Sequence, residues 1–443
     1  MEYITHELLK KYAEIFLENK QNLIASHAVM NSGIEKTSID IDVVRRNRNT
    51  FSLQLKQGEI TDQQKSGRCW MFAALNIMRY AVIHKLNLET FEFSQSYPLF
   101  YDKLEKSNYF LEAILETLDE SYNGRILSHL LFSPLNDGGQ WDMFCNIVKK
   151  YGVVPKDIMP ESISSSKTRE MNYYLTAKLR EFACLLRETY NNGKNIVQLR
   201  EMKDKMMYDI YKILCICLGT PPNTFDFEFR TKDDSYLREE NITPLDFLKK
   251  YVGWDLDEHI SIIHAPTKDK PLGRTYTVKY LGNVKEGKPV QYLNLDISQL
   301  KEAAIAQLKD GKPVWFGADI DHGMMFQEGI MDPDIYKANL LFDTEFRMTK
   351  AQRLDYGHSM MNHAMVIIGV NLDDNGHPNR WNVENSWGKE KGKDGYYIMN
   401  DRWFDEYVFQ IVVEKKYLPP DIAKLYDMEP IVLNPWDPMG SLA

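Results

Sequence analysis

The sequence predicts an α+β protein with a helical first half and a β-rich final third. Three observations predict it. After Cys69, apolar residues recur at Met71, Leu75, Met78 and Val82, steps of four, three and four that match a helix. Residues 163–218 form a helical block interrupted only by the turn Asn191-Asn192-Gly193. Residues 363–370, 380–384, 395–399 and 408–413 read as strands separated by turn residues, and they complete an antiparallel sheet.

In chain order, residues 5–19 read as an amphipathic surface helix, and residues 20–60 as a mixed, polar lead-in to the turn before Cys69. The Cys69 helix runs to about Leu86. Two further helical segments fall within 94–120. Asn136-Asp137-Gly138-Gly139 makes a turn before a helix starting at Trp141, and a proline-bounded loop follows. Adjacent glycines there either serve the turn or let a ligand's backbone approach, because no Cβ blocks it. Beyond the helical block, residues 225–229 and 276–280 both alternate as strands exposed on one face, and are expected to pair. Between them lies a short helix capped by Thr243. A helix over 298–309 and a buried strand over 314–318 lead into the final third. The last 25 residues carry five prolines together with Ile431, Val432, Leu433, Trp436, Met439 and Leu442. Such a tail is too apolar for disorder and is expected to be extended and docked on the body.

A length of 443 residues allows two or three domains. The expected division is a helix and lead-in over 1–60, a helical half over 61–162, an insertion over 163–300, a β-rich half over 301–418 and a C-terminal arm over 419–443. Hydrophobic residues are 44% and charged residues 26%, ordinary for a globular protein. No run of about 18 apolar residues predicts a membrane helix. The first twenty residues mix charges of both signs and lack the apolar core of a signal peptide. Five cysteines, an odd number without a CxxC pair, then point to a reducing, cytoplasmic setting. Zinc is not expected, since Cys215 and Cys217 sit in an apolar helical run with no histidine at metal spacing. The net charge of −9 argues against nucleic acid as a partner. The densest basic stretch, Arg45, Arg46 and Arg48, is short and offset by Asp40 and Asp42.

The candidate chemistry starts at Cys69. Taken alone, a cysteine beside Trp, Met and Phe is a small buried hydrophobe. At a helix N-terminus, however, unpaired N–H groups and the macrodipole favour its thiolate, which is the nucleophilic form. Gln63, six residues upstream, is placed to fold its amide over the turn towards an oxyanion. A thiolate needs a partner for its proton, and that partner needs a third group to fix its ring. His363 starts one expected strand and Asn385 ends the next, so neighbouring strands bring them side by side. Trp387 is then positioned to cover their hydrogen bond.

The order Gln63…Cys69-Trp70…His363…Asn385-Ser386-Trp387-Gly388 resembles that of the papain-like cysteine peptidases. The stretches QQKSGRCWMFAALN, NDGGQWDM, YGVVP, KPVWFG, MNHAMVIIGV, VENSWG and WDPMGSLA resemble, over essentially the whole chain, the bleomycin hydrolase and aminopeptidase C branch. The resemblance implies a papain-like fold carrying a large, mainly helical insertion and the C-terminal arm. It implies Cys69 as nucleophile, His363 as general base and acid, Asn385 as its orienting group, and Gln63 as oxyanion donor with the Cys69 N–H. Gly138 and Gly139 would hold the substrate backbone, and the Ala443 carboxylate would anchor a substrate's α-ammonium group. It further implies an aminopeptidase on peptide substrates, no metal or organic cofactor, and a homohexamer. An endopeptidase of the same family is the alternative reading. The chain departs from the secreted papain pattern at Ser66 and Asn136, which stand where that pattern has two disulfide-bonded cysteines. His363 follows Cys69 by 294 residues, against about 130–150 in the secreted enzymes. The excess matches the insertion.

Overall fold

The computed structural model describes residues 3–56 and 58–442. Its first half is helical for the reasons seen in the sequence. The Cys69 helix (Cys69–Lys85) is buried along twelve of its residues and forms the axis of the helical core. Trp141–Tyr151 and the long helix Ser96–Glu116 pack beside it. The latter is one helix of 21 residues, not the two segments expected within 94–120. Pro98 lies in its first turn, where a missing N–H costs no intrahelical bond, so the proline starts the helix and does not divide it.

The segment expected as an insertion forms two antiparallel helices of 23 residues, Arg169–Asn191 and Ile196–Leu218, joined at Gly193. They pack on Ser96–Glu116. The strand pairing expected between 225–229 and 276–280 does not form. Phe225–Arg230 pairs with Tyr236–Ile242 in a local hairpin. The second strand of that hairpin is almost wholly exposed and charged on both faces, so it carries no alternation to read. The five-residue loop 231–235 also closes at lower entropic cost than the 46 residues between 229 and 276 would.

Arg274–Val278 belongs instead to a twelve-stranded sheet. From Ile431–Leu433 at one edge, its order runs through Arg274–Val278, Tyr292–Asn294, His259–Ile263, Val408–Glu414, Val314–Ala318, His363–Leu372, Pro378–Glu384 and Tyr396–Asn400. The sheet therefore crosses the boundary placed at residue 300: strands from 259 onward share a core with the β-rich half. The His363 strand lies inside the sheet, His363 opposite Ala318 on one side and Val366 opposite Glu384 on the other.

A buried ionic contact joins the two halves behind the site. Arg79 and Asn76, on the Cys69 helix, donate to the Glu384 carboxylate at 2.7 and 2.8 Å. Burial pushes the Glu384 carboxyl up, and the Arg79 charge works against it. Removing one member of such a pair strands a charge, at a cost of about 3–5 kcal/mol. Glu384 directly precedes Asn385, so this contact also sets the strand end that the site uses.

The arm packs on the body. Ile431–Leu433 extends the sheet in parallel with Arg274–Val278, Lys270 pairs with Asp437 at 2.9 Å, and Met439 is buried. Among the described residues no helix is long and apolar enough to cross a membrane.

Candidate active site

Cys69 is the first residue of its helix and is buried. The Ala364, Trp70 and Cys69 backbone N–H groups face its sulfur. The Ala364 contact places the thiol against the residue that follows His363. The structure thus brings the two sequence-distant residues together across the junction of helix and sheet.

The His363 Nε2–H donates to Asn385 Oδ1 at 2.9 Å. That oxygen also accepts from the Ser386 N–H at 2.8 Å, which identifies it as the acceptor end of the amide. The tautomer follows: the proton sits on Nε2, and Nδ1 is left with a lone pair. The Trp387 ring lies 4.7 Å from the imidazole, between it and Phe326 and Tyr397, and shields the hydrogen bond from water.

Gln63 folds over the turn. Its Nε2 donates to Ser66 O at 2.6 Å and its Oε1 accepts from Ser386 Oγ at 2.7 Å. One Nε2 hydrogen remains for an incoming oxygen. Ser386 was not singled out by sequence reasoning, although it lies inside the Asn-Ser-Trp-Gly stretch. It fixes which end of the Gln63 amide faces the turn.

Gly138 and Gly139 lie on the other side of the Cys69 turn. A Cβ at Gly139 would sit 2.5 Å from the Trp70 ring, so glycine is required there by packing whether or not a ligand approaches. Lys106 Nζ donates to Gly138 O at 2.7 Å. Gln140, next in sequence, donates from Nε2 to Ser441 O at 2.7 Å. The described end of the arm therefore lies beside the glycines. Ala443, the expected carboxylate donor, lies outside the described residues.

The electrostatics differ from the expectation at the helix N-terminus. Burial pushes the Cys69 thiol up to about 11, although three backbone N–H groups pull it down. A helix terminus is worth up to about 2 kcal/mol, whereas full burial moves an ionisable group by about 3–5 pH units, so burial wins. Burial likewise lowers His363 to about 4, with the Asn385 hydrogen bond raising it in part. Against this burial, a thiolate and an imidazolium side by side would offset each other's charge.

The depressed imidazole has a measurable consequence. The unfolded chain binds a proton at this histidine near its ordinary 6.5, the folded chain only near 4. The stability linked to His363 is fully present above 6.5 and is lost as pH falls towards 4, by about 3 kcal/mol. His264, lowered to about 3 by burial, adds to the same acid loss. Melting temperatures of the parent and His363→Ala between pH 7 and pH 4 should therefore converge on acidification. Parallel curves would show that His363 titrates normally.

The five cysteines are all unpaired. Of the two positions where the secreted pattern has bonded cysteines, Ser66 donates from Oγ to Gln63 O at 2.6 Å, and Asn136 O accepts from Lys103 Nζ at 2.6 Å.

With this geometry in place, the relatives are informative. The model of the Peptidase C1-like family matches residues 3–440. Aminopeptidase C of Listeria monocytogenes is 47% identical over 440 residues, covering 99% of both chains. Human bleomycin hydrolase is 40% identical over 432 residues, covering 96% of this chain and 94% of its own. The crystal structure of PepW from Lactobacillus rhamnosis superposes with a TM-score of 0.98 at 47% identity, covering 100% of this chain and 99% of its own. Sequence, fold and relatives agree over essentially the full length, and the chain belongs to the Peptidase C1-like family, in its aminopeptidase C and bleomycin hydrolase branch.

Proposed function

We propose that this protein is a cysteine aminopeptidase that removes N-terminal residues from peptides by acyl transfer. The observation that carries the chemistry is the 2.9 Å bond from His363 to Asn385, with the Cys69 sulfur set against the Ala364 N–H. Cys69 passes its proton to His363 Nδ1 as its sulfur bonds to the first peptide carbonyl carbon. The oxygen takes the negative charge and is met by the Gln63 Nε2–H and the Cys69 N–H. On collapse the C–N bond breaks, and His363 gives its proton to the leaving amine. Water, deprotonated by His363, then attacks the thioester, and the proton returns to sulfur. These steps need no metal or organic cofactor.

The exopeptidase reading rests on the arm. Gln140 holds Ser441 two residues short of the chain end, next to the glycines proposed to hold the substrate backbone. The reading needs the Ala443 carboxylate to pair with a substrate's α-ammonium group and so to block longer substrates. An aminoacyl fluorogenic amide with a free α-amine should be cleaved at least about 10²-fold better than its N-acetylated form. Removing the last few residues should raise cleavage of the blocked form. If the intact protein cleaves the blocked form equally well, the enzyme is an endopeptidase and the arm does not gate it.

We also propose self-assembly, with the homohexamer as the expected state and a cytoplasmic setting consistent with the five free thiols. The N-terminal helices His6–Glu18 and Lys20–Ser32 support assembly, since neither buries any residue. Leu9, Tyr12, Ile15, Phe16 and Ile24 remain exposed, an apolar surface unusual for a solvated hairpin. Light scattering on the purified protein tests this, a monomer mass counting against it.

A further inference from the structure

Asp137 has no part in the chemistry above, yet its carboxylate is held by contacts from both sides of the site. Four donors meet its two oxygens. Lys103 Nζ at 2.6 Å and Asn172 Nδ2 at 2.7 Å reach Oδ1. The Gly67 N–H at 3.0 Å and the Thr168 hydroxyl reach Oδ2. Its lone-pair capacity is filled. Its backbone carbonyl accepts from Trp70 Nε1 at 2.7 Å.

These partners come from three separate parts of the chain. Gly67 belongs to the turn before Cys69. Lys103, whose side chain is fully buried, comes from the helix Ser96–Glu116. Thr168 and Asn172 open the first long helix of the insertion. Asp137 itself directly precedes Gly138 and Gly139. The approach to the Cys69 turn is so close that a Cβ at Gly67 would stand 2.9 Å from the Asp137 Cβ. The insertion touches the same turn a second time, the Lys65 N–H donating to Ser166 O at 3.0 Å, and Glu161, just ahead of the insertion, pairs with Arg68 at 2.8 Å.

We propose that Asp137 is a positioning residue for the peptidase reaction, clamping the Cys69 turn to the Gly138-Gly139 segment at a fixed separation, and that the helical insertion takes part in the site through Thr168 and Asn172. The inference rests on reading Cys69 as the nucleophile and the glycines as the substrate's backbone support. The first sets where sulfur stands and the second where the carbonyl stands. Attack depends on their separation, and a shift of about 1 Å costs on the order of 10²-fold in rate. A carboxylate suits the task because two oxygens gather four donors, whereas an amide oxygen gathers two. Burial pushes the Asp137 carboxyl up, but the Lys103 charge and the donated hydrogen bonds outweigh it and hold the group well below the usual range. These contacts favour the charged form of the clamp. Its charge also raises the Cys69 thiol slightly, so its benefit to the reaction is geometric.

The test uses the full-length protein and an aminoacyl fluorogenic amide with a free α-amine. In Asp137→Asn the new NH2 group faces two of the four donors. The expected result is a fall in kcat of about 10²-fold with KM changed by less than about threefold and a cooperative melt retained. Iodoacetamide should label Cys69 faster than in the parent, because the opposing charge is gone. A structural role alone would not raise thiol reactivity while lowering turnover in a folded protein. A kcat within about threefold of the parent's, or a loss that only tracks the folded fraction, overturns the proposal. Thr168→Val keeps the carboxylate and removes one donor from the insertion. If Asp137→Asn does not fold, this variant decides alone. A kcat lowered about fivefold, with KM and melting unchanged, supports the clamp, and an unchanged kcat overturns it. Failure of the underlying reading is seen separately: alkylating Cys69 in the parent would then leave turnover intact.

Discussion

Cys69→Ala abolishes turnover, by about 10⁴–10⁶-fold, and leaves the protein folded. Loss of a nucleophile that acts as a unit with its base removes nearly all the chemistry. The structural cost is small. The side chain is buried at 3% exposure and fits as a small apolar group, so deleting its sulfur costs about 1 kcal/mol of packing. The variant should melt cooperatively within a few degrees of the parent. Cys145→Ala is the matched control: Cys145 is also buried, with its thiol pushed well above the ordinary value, but it lies along the Trp141–Tyr151 helix away from His363. It should keep full activity. Activity surviving in Cys69→Ala, or lost equally in Cys145→Ala, would remove Cys69 from the mechanism.

Gln63→Ala lowers kcat/KM by about 10²–10³-fold, the usual cost of one oxyanion donor. The Gln63 amide is held at both ends, by Ser66 O and Ser386 Oγ, so its remaining N–H is aimed before substrate arrives. A preset dipole stabilises developing charge without reorganising, which is why a single donor has so large an effect. Truncation also strips partners from the buried Ser66 and Ser386 groups and destabilises the fold by about 1–3 kcal/mol. The two effects separate by reaction type. Alkylation of Cys69 by iodoacetamide builds no oxyanion on an attacked carbonyl, so its rate should hardly change while peptide turnover falls. A drop of less than about threefold in kcat/KM argues against an oxyanion role. Ser386→Ala, which frees the amide to rotate without deleting it, should cause a smaller loss of the same kind.

Local rules carried much of the architecture. Helical periodicity starts at Cys69 and the observed helix begins there. Residues 363–370 are an apolar stretch of strand length bounded by turn signals, and the observed strand is His363–Leu372. The failures are also local in origin. The two segments expected within 94–120 are one helix, and Pro98 does not divide it, because position within the first turn decides what a missing N–H costs. Tyr236–Ile242 was unreadable because neither face is buried. The pairing of 276–280 was misjudged because strand partners are chosen by the whole sheet, and Arg274–Val278 found its place between Tyr292–Asn294 and the arm.

The sequence by itself determined which groups are present: a cysteine at a helix start, a histidine and an asparagine at adjoining strand ends, and a glutamine on the preceding turn. Residue type and spacing along one element suffice for that, since each depends on neighbours a few positions away. Only the tertiary structure decided how those groups behave. The helix terminus favours a thiolate, but helix and sheet close over Cys69 and His363, and burial raises the thiol and lowers the imidazole against it. Likewise, no local pattern links Asp137 to Lys103, Thr168 and Asn172. Such contacts depend on distances across the fold, and burial and charge act through those distances, not through order along the chain.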